Sequence, residues 1–116
     1  MYKRNMRTVA KSLDHADKSL TFLDGSTRVS VLLGTVVIGR GTYLPGWRWS
    51  LHVSRRTRKH STGHVGYVLA GKLTISTPEG NEVTVAPGEA FEIGPRDDAW
   101  VVGNETCIAL DFQELD

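Results

Sequence analysis

Two glycine-punctuated segments constrain the fold of this chain more than any other feature. The first runs from Gly63 to Ile75 and turns at Gly71, and the second runs from Val83 to Pro95 and turns at Pro87-Gly88. Glycine takes positive φ freely and proline pre-sets turn geometry, so these positions predict chain reversals between short strands. Residues 63–95 are therefore predicted to form four consecutive strands joined by tight turns.

The rest of the chain repeats this pattern from residue 20 onward. Short apolar or alternating runs lie at 20–23, 28–33, 35–43, 47–53, 65–70, 72–77, 82–86, 90–93, 99–103 and 106–113. Many short strands separated by turn residues are typical of an all-β sandwich or barrel. We predict one all-β domain over residues 20–116 and a polar, basic loop over 54–63.

The first nineteen residues have the weakest β pattern and are predicted to be an N-terminal extension. Residues 12–18 are compatible with one helical turn, with Ser12 or Asp14 as its N-cap. The basic residues 1–7 are not followed by an apolar segment, and no run approaches the length of a membrane span. We therefore expect a cytoplasmic protein with no membrane partner.

Composition limits the function classes. The chain has 116 residues, 40% hydrophobic and 23% charged, which suits a single globular domain. Its 14 basic and 13 acidic residues nearly balance, so no nucleic-acid partner is expected. Cys107 is the single cysteine, which excludes an internal disulfide and fits a reducing compartment.

The Gly71 and Pro87-Gly88 segments together resemble the centre of a cupin. The resemblance extends over about residues 40–112. It implies a double-stranded β-helix, or jelly-roll barrel, that often holds a metal ion or a small ligand. Many small cupins pair through their sheets, so the resemblance also implies a homodimer.

The first cupin metal-binding motif matches this chain in two ways. Counting back from Gly71 aligns His64 with the glutamate of the motif, and His60 and Arg58 with its two histidines. The alternative starts at the Pro45-Gly46 turn.

That alternative aligns His52 and Ser54 with the histidine pair and makes residues 55–63 a long loop. It is preferred because the alternation from Trp47 to Val53 predicts a strand, whereas the basic segment does not. The second cupin motif, counted from Gly88, aligns either Ala99 or Trp100 with its histidine, so that ligand is missing.

The resemblance therefore implies an altered metal site. One divalent ion, Zn, Fe, Mn or Ni, would be held by His52, His64 and, across the loop, His60. Carboxylates could substitute for the missing ligands, and the available ones are Asp97, Asp98 and Asp111.

Strand alternation identifies further ligand-binding candidates. His64 shares a face with the small residues Gly66 and Ala70, which leaves space if that face points into the barrel. Arg40 is in phase with apolar neighbours and could bind a carboxylate or phosphate, or else reach out to solvent. The full set of candidates is Arg40, Trp49, His52, His64, Tyr67 and Trp100.

Two classes of function follow. The first is a non-catalytic cupin that binds a small molecule in its barrel, and an anion is one option because of Arg40 and the basic loop. The second is an enzyme, either a metal-dependent oxygenase or isomerase, or a metal-free epimerase-like cupin. The metal-free enzyme would need His52 or His64 paired with a carboxylate, and Tyr67 as proton donor.

Overall fold

Over the residues that the structure describes, the protein folds into two antiparallel sheets and one short α-helix. The computed structural model describes residues 8–53 and 63–115. The elements are β1 (Lys18–Thr21), β2 (Thr27–Leu32), β3 (Val36–Tyr43), α1 (Trp49–His52), β4 (His64–Ala70), β5 (Leu73–Ser76), β6 (Glu82–Val85), β7 (Ala90–Ile93), β8 (Asp98–Val101) and β9 (Cys107–Glu114).

The larger sheet has six strands in the order β1-β2-β3-β9-β4-β7, and the smaller sheet has the order β6-β5-β8. Strand β9 pairs with both β3 and β4, so a strand near the end of the chain lies at the centre of the larger sheet. This arrangement confirms the predicted all-β architecture.

The hydrophobic core lies between the two sheets. Every second residue of β9 points into it, and Cys107, Ala109 and Asp111 are buried while the residues between them are partly exposed. Strand β4 alternates in the same way: Gly66 and Val68 are buried, and Tyr67 is exposed. The face of β4 that carries His64, Gly66 and Val68 is therefore the one that points towards the core.

A 3₁₀ turn, Leu13–His15, precedes the first strand. Its cap is the Ser12 hydroxyl, which accepts a hydrogen bond from the amide of Asp14 at 3.1 Å. The turn packs against β2. In the described ranges, neither this turn nor α1 has the length and apolar character that crossing a bilayer requires.

The strand predicted over residues 47–53 is wrong, because this segment forms α1. The amides of His52 and Val53 donate to the carbonyls four residues earlier, at 2.9 and 3.0 Å. At the start of the helix, the Ser50 amide and hydroxyl donate to the two carboxylate oxygens of Asp98, at 2.9 and 2.8 Å. This acceptor comes from β8, so a tertiary contact stabilises a helix where local alternation indicates a strand.

Candidate functional site

A cavity of about 300 Å³ lies between the two sheets, beside α1. Most of its wall is aromatic or aliphatic, and its polar groups come mainly from the larger sheet. The lining residues are Leu20, Phe22, Arg28, Tyr43, Trp47, Trp49, Val53, His64, Leu73, Phe91, Ile93, Asp97, Ala99, Ala109, Leu110, Asp111 and Gln113.

An ion pair between Arg28 and Asp111 forms the polar centre of the cavity wall. Arg28 Nε donates to Asp111 Oδ2 at 2.9 Å, and Arg28 Nη2 donates to Asp111 Oδ1, so the contact is bidentate. Arg28 is on β2 and Asp111 on β9, with β3 between them. The guanidinium crosses β3 at Gly39, where any Cβ would overlap it. A glycine in mid-strand therefore makes the ion pair possible.

Tyr43 and Trp47 form an aromatic pair on the same wall. Their ring centroids are 4.2 Å apart and their planes are tilted by 37°. The Tyr43 ring lies over Gly41, where a Cβ would overlap it. Burial raises the pKa of the Tyr43 phenol well above its ordinary value of 10.0, so the phenol stays neutral and can donate a hydrogen bond.

His64 is the histidine of the described residues that lines the cavity. Burial lowers the pKa of its imidazole below the ordinary value of 6.5, and nearby Arg28 acts in the same direction, whereas Asp111 opposes it. The ring is therefore neutral near pH 7. The hydrogen bonds that Asp111 makes among the described residues go to Arg28, and none of them joins its carboxylate to His64.

The structure brings two of the predicted ligand-binding residues, Trp49 and His64, to the cavity wall. Arg40 and Tyr67 lie on the other face of the larger sheet, where they flank Leu110 in neighbouring strands. Arg40 binds Asp14 there, with Nη2 to Oδ1 at 3.1 Å, and Tyr67 is 38% exposed.

The remaining predicted residues are occupied by local contacts or lie outside the described ranges. His52 Nδ1 accepts a hydrogen bond from the Arg48 amide at 2.9 Å, at the end of α1. Trp100 stacks under Arg48, whose guanidinium carbon is 4.2 Å from the ring centroid. Of the two residues aligned with the missing histidine, Ala99 lines the cavity. His60 lies outside the described residues.

The donor groups do not fit a metal centre within residues 8–53 and 63–115. No group of three or more His, Cys, Asp or Glu side chains in these ranges is arranged to hold a metal ion. His52 Nδ1 accepts from the backbone amide of Arg48, Asp111 is bound to Arg28, and Asp98 is bound to Ser50 of α1. A useful catalytic site needs about three protein ligands, and His64 alone does not provide them.

Sequence reasoning missed Arg28, Tyr43 and Trp47, and treated Asp111 only as a substitute metal ligand. A signal for Asp111 existed, because a charged residue in phase with Cys107 and Ala109 on an apolar strand must be paired if it is buried. The Gly-x-Gly pattern of Gly39 and Gly41 on a strand was a second signal, since it indicates a close approach of other groups.

Comparisons with solved structures give the fold. The chain is similar to a protein of unknown function from Rhizobium leguminosarum bv. viciae, at 24% identity over 95% of this chain and 98% of that one, with a TM-score of 0.66. It is also similar to an RmlC-like cupin from Shewanella frigidimarina, at 15% identity over 97% and 95%, with a TM-score of 0.66.

A third similar structure is the polyketide cyclase RemF from Streptomyces resistomycificus, at 19% identity over 95% of this chain and 81% of that one, with a TM-score of 0.58. At these identities the likeness shows a shared fold, and that fold is the one the sequence resemblance implied. No protein-family model matches the sequence, and no curated protein is significantly similar to it.

Proposed function

We propose that this chain, which has the cupin fold, binds a small and largely apolar molecule in the cavity between its sheets. The observation that carries the proposal is the cavity itself, with a volume of about 300 Å³ and a mainly aromatic and aliphatic wall around a few polar groups. Small-molecule sites in proteins have this character and span roughly 300–1,000 Å³.

The charges around the cavity favour a neutral ligand over an anion. Its described wall contains one cation, Arg28, and two carboxylates, Asp97 and Asp111. Arg28 is already paired with Asp111. Arg40, which together with the basic loop suggested an anionic ligand, is paired with Asp14 outside the cavity. A negatively charged ligand would be repelled by Asp97, so a ligand whose polar group is neutral fits the cavity better.

Binding has more support than catalysis among the described residues. The metal-free enzyme hypothesis needs a histidine base with a carboxylate partner, and Asp111 is committed to Arg28. Tyr67, its suggested proton donor, faces away from the cavity. Tyr43 is a neutral phenol on the cavity wall, and a donor of this kind serves recognition without any proton transfer.

The proposal is tested by titrating the protein with tetralin, a compact apolar probe, while methyl NMR signals are recorded. Saturable binding is expected for the wild type. Ala109→Met, which extends a buried side chain into the cavity, should weaken binding at least tenfold, because the probe and the new side chain compete for the same space.

Val83→Met is the matched control, because Val83 is 62% exposed on the smaller sheet and does not line the cavity. It should leave tetralin affinity unchanged. A wild type that does not bind tetralin, or equal affinity in Ala109→Met and the wild type, contradicts the proposal.

A further inference from the structure

His64 is a polar side chain with apolar neighbours on the cavity wall. It lies on the inward face of β4 and lines the cavity. Its cross-strand partner on β7 is Ile93, and the ring of Phe91 occupies the position that a Cβ would take at Gly66, the next residue on the same face. Ile93 and Phe91 also line the cavity. These apolar side chains offer the imidazole no hydrogen bond.

The two ring nitrogens of His64 have no hydrogen-bond partner among the described residues. The influences on the pKa of the imidazole are burial and the charges of Asp111 and Arg28, and no hydrogen bond contributes. In the described ranges, the side-chain nitrogen or oxygen atom that is both fully buried and unpaired is Trp47 Nε1. The His64 nitrogens are unpaired without being fully buried, so they keep accessible surface on a ring that lines the cavity.

Three charged side chains of the cavity wall are already bound to protein groups. Arg28 and Asp111 bind each other. Asp97 Oδ2 accepts a hydrogen bond from the amide of Gly94 at 2.8 Å. A neutral imidazole has one N–H donor and one nitrogen acceptor. A ligand in the cavity therefore finds at His64 a donor and an acceptor that no described residue uses.

We propose that His64 is the residue that recognises a hydroxyl group on the ligand of this cavity. The ligand class is then a neutral, mainly apolar ring compound that carries a hydroxyl, such as a phenol. This inference rests on the proposed binding function and names the chemistry that the site selects. A hydroxyl both donates and accepts, so it can bind the ring nitrogen that faces it whichever nitrogen carries the proton, whereas a carbonyl can only accept.

The ring skeleton of the ligand follows from the aromatic side chains in the wall. Phe22, Tyr43, Trp49 and Phe91 come from four different parts of the chain and line one cavity. Aromatic side chains pack well against ring faces and edges. A compound without the hydroxyl fills the same space but leaves the imidazole unpaired, so it binds more weakly.

The inference is tested with two probes that differ in one group, 5,6,7,8-tetrahydro-2-naphthol, which has a hydroxyl, and tetralin, which does not. Wild-type protein should bind the naphthol about fivefold more tightly, the gain expected from one net hydrogen bond. His64→Leu should lose this preference, because the hydroxyl is then buried without a partner. His15→Leu, the same change on the exposed N-terminal turn, is the control and should keep it.

A second readout does not depend on how well His64→Leu folds. The chain has four histidines, so the ring-nitrogen resonances of His64 are assigned by elimination with His15→Gln, His52→Gln and His60→Gln. Spectra are recorded above the ordinary histidine pKa of 6.5, where the ring is neutral. Saturation with the naphthol should bring the two nitrogen resonances of His64 closer together, as hydrogen bonding at either nitrogen does, and tetralin should not.

The outcomes separate this inference from the proposed function. Equal binding of both probes by the wild type, with no change specific to the His64 resonances, leaves ligand binding in place and overturns the role of His64. Failure of both probes to bind overturns both proposals. Retention of the naphthol preference in folded His64→Leu also overturns the inference.

Discussion

At the scale of single residues, the Arg28–Asp111 pair is the most consequential contact in the cavity wall. The Asp111 side chain is 9% exposed and that of Arg28 is 23% exposed, so each charge depends on the other. A buried ion pair adds little net stability compared with apolar packing, but removal of one partner leaves the other uncompensated. In this cavity the pair holds two charged groups in fixed positions within a mainly apolar wall.

Asp111→Asn should lower the free energy of unfolding by about 2–3 kcal/mol, because it leaves the Arg28 guanidinium partly buried without a counter-charge. Asp14→Asn is the control: Asp14 is 75% exposed in its pair with Arg40. That change should cost less than about 1 kcal/mol. Urea denaturation measures both values, and an equal loss in the two variants would show that the buried pair has no special role.

His64 should make the stability depend on pH. Its pKa is lowered in the folded protein, so as pH falls below 6.5 the unfolded chain takes up a proton that the folded protein does not. The free energy of unfolding therefore falls as the pH is lowered from 6.5 to the pKa of folded His64. Above pH 6.5 the neutral imidazole makes its full contribution to stability.

His64→Gln should have a smaller loss of Tm than the wild type over this pH range, because glutamine stays neutral. His15→Gln, on the exposed N-terminal turn, is the control and should follow the wild type. Parallel Tm profiles for the wild type and His64→Gln would argue against a buried neutral imidazole.

At the scale of elements, the strands form where the alternation of apolar residues predicts them, whereas α1 forms where the same alternation predicts a strand. The apolar runs over residues 20–43 and 65–113 all correspond to strands, because alternation and turn residues agree there. Residues 47–53 alternate equally well, but Arg48 forms only an isolated bridge to Trp100, and Asp98 binds Ser50 at the start of α1. No local signal reveals a carboxylate from a distant strand.

The turn between β4 and β5 shows why Gly71 was a reliable fold marker. Gly71 and Gly103 have nearly the same positive φ, +70° and +71°, but a Cβ at Gly71 would lie 2.7 Å from the Cα of Cys107, whereas the space at Gly103 is open. Gly103→Ala should cost about 1 kcal/mol, the cost of left-handed backbone for a residue with a Cβ.

Gly71→Ala should lower the free energy of unfolding by about 2 kcal/mol more than Gly103→Ala does, because the new Cβ also pushes the backbone at the start of β9 away from the turn. Chemical denaturation of both variants measures the difference. If the two alanine variants were equally stable, the close approach of the β4–β5 turn to β9 would be refuted.

At the scale of the whole molecule, the outer face of the larger sheet offers a surface for the predicted homodimer. Val65, Tyr67 and Leu69 on β4 are each more than a third exposed there. These apolar side chains follow one another along a single strand, so a two-fold axis near β4 would set the same patch of two copies face to face.

The homodimer prediction is checked by sedimentation velocity. The wild type should sediment as a dimer, and Val65→Lys should shift it towards monomer, because the lysine charge would be buried in the interface. Thr84→Lys, on the smaller sheet, is the control and should remain dimeric. A monomeric wild type, or a Val65→Lys variant that stays dimeric, would rule out this face as the interface.

The candidate site was less predictable than the fold because it is assembled from distant strands. Alternation alone groups His64 with Gly66 and Ala70 on one face of β4, since it needs only neighbouring residues, but the packing of the sheets decides which face points inward. The Arg28–Asp111 contact depends on a sheet order in which β2 and β9 flank β3, and sequence spacing does not encode that order. The predicted roles of Trp49 and His52 assumed that residues 47–53 form a strand, whereas Trp49–His52 form α1.

Intermolecular NOEs from bound tetralin show whether the ligand lies in the cavity between the sheets. We expect NOEs to methyl groups of the cavity wall, those of Ala99, Ala109 and Leu73, and none to Val65 or Leu69 on the outer face. NOEs confined to the outer methyl groups would mean that the probe binds an exposed apolar surface, and would contradict ligand binding between the sheets.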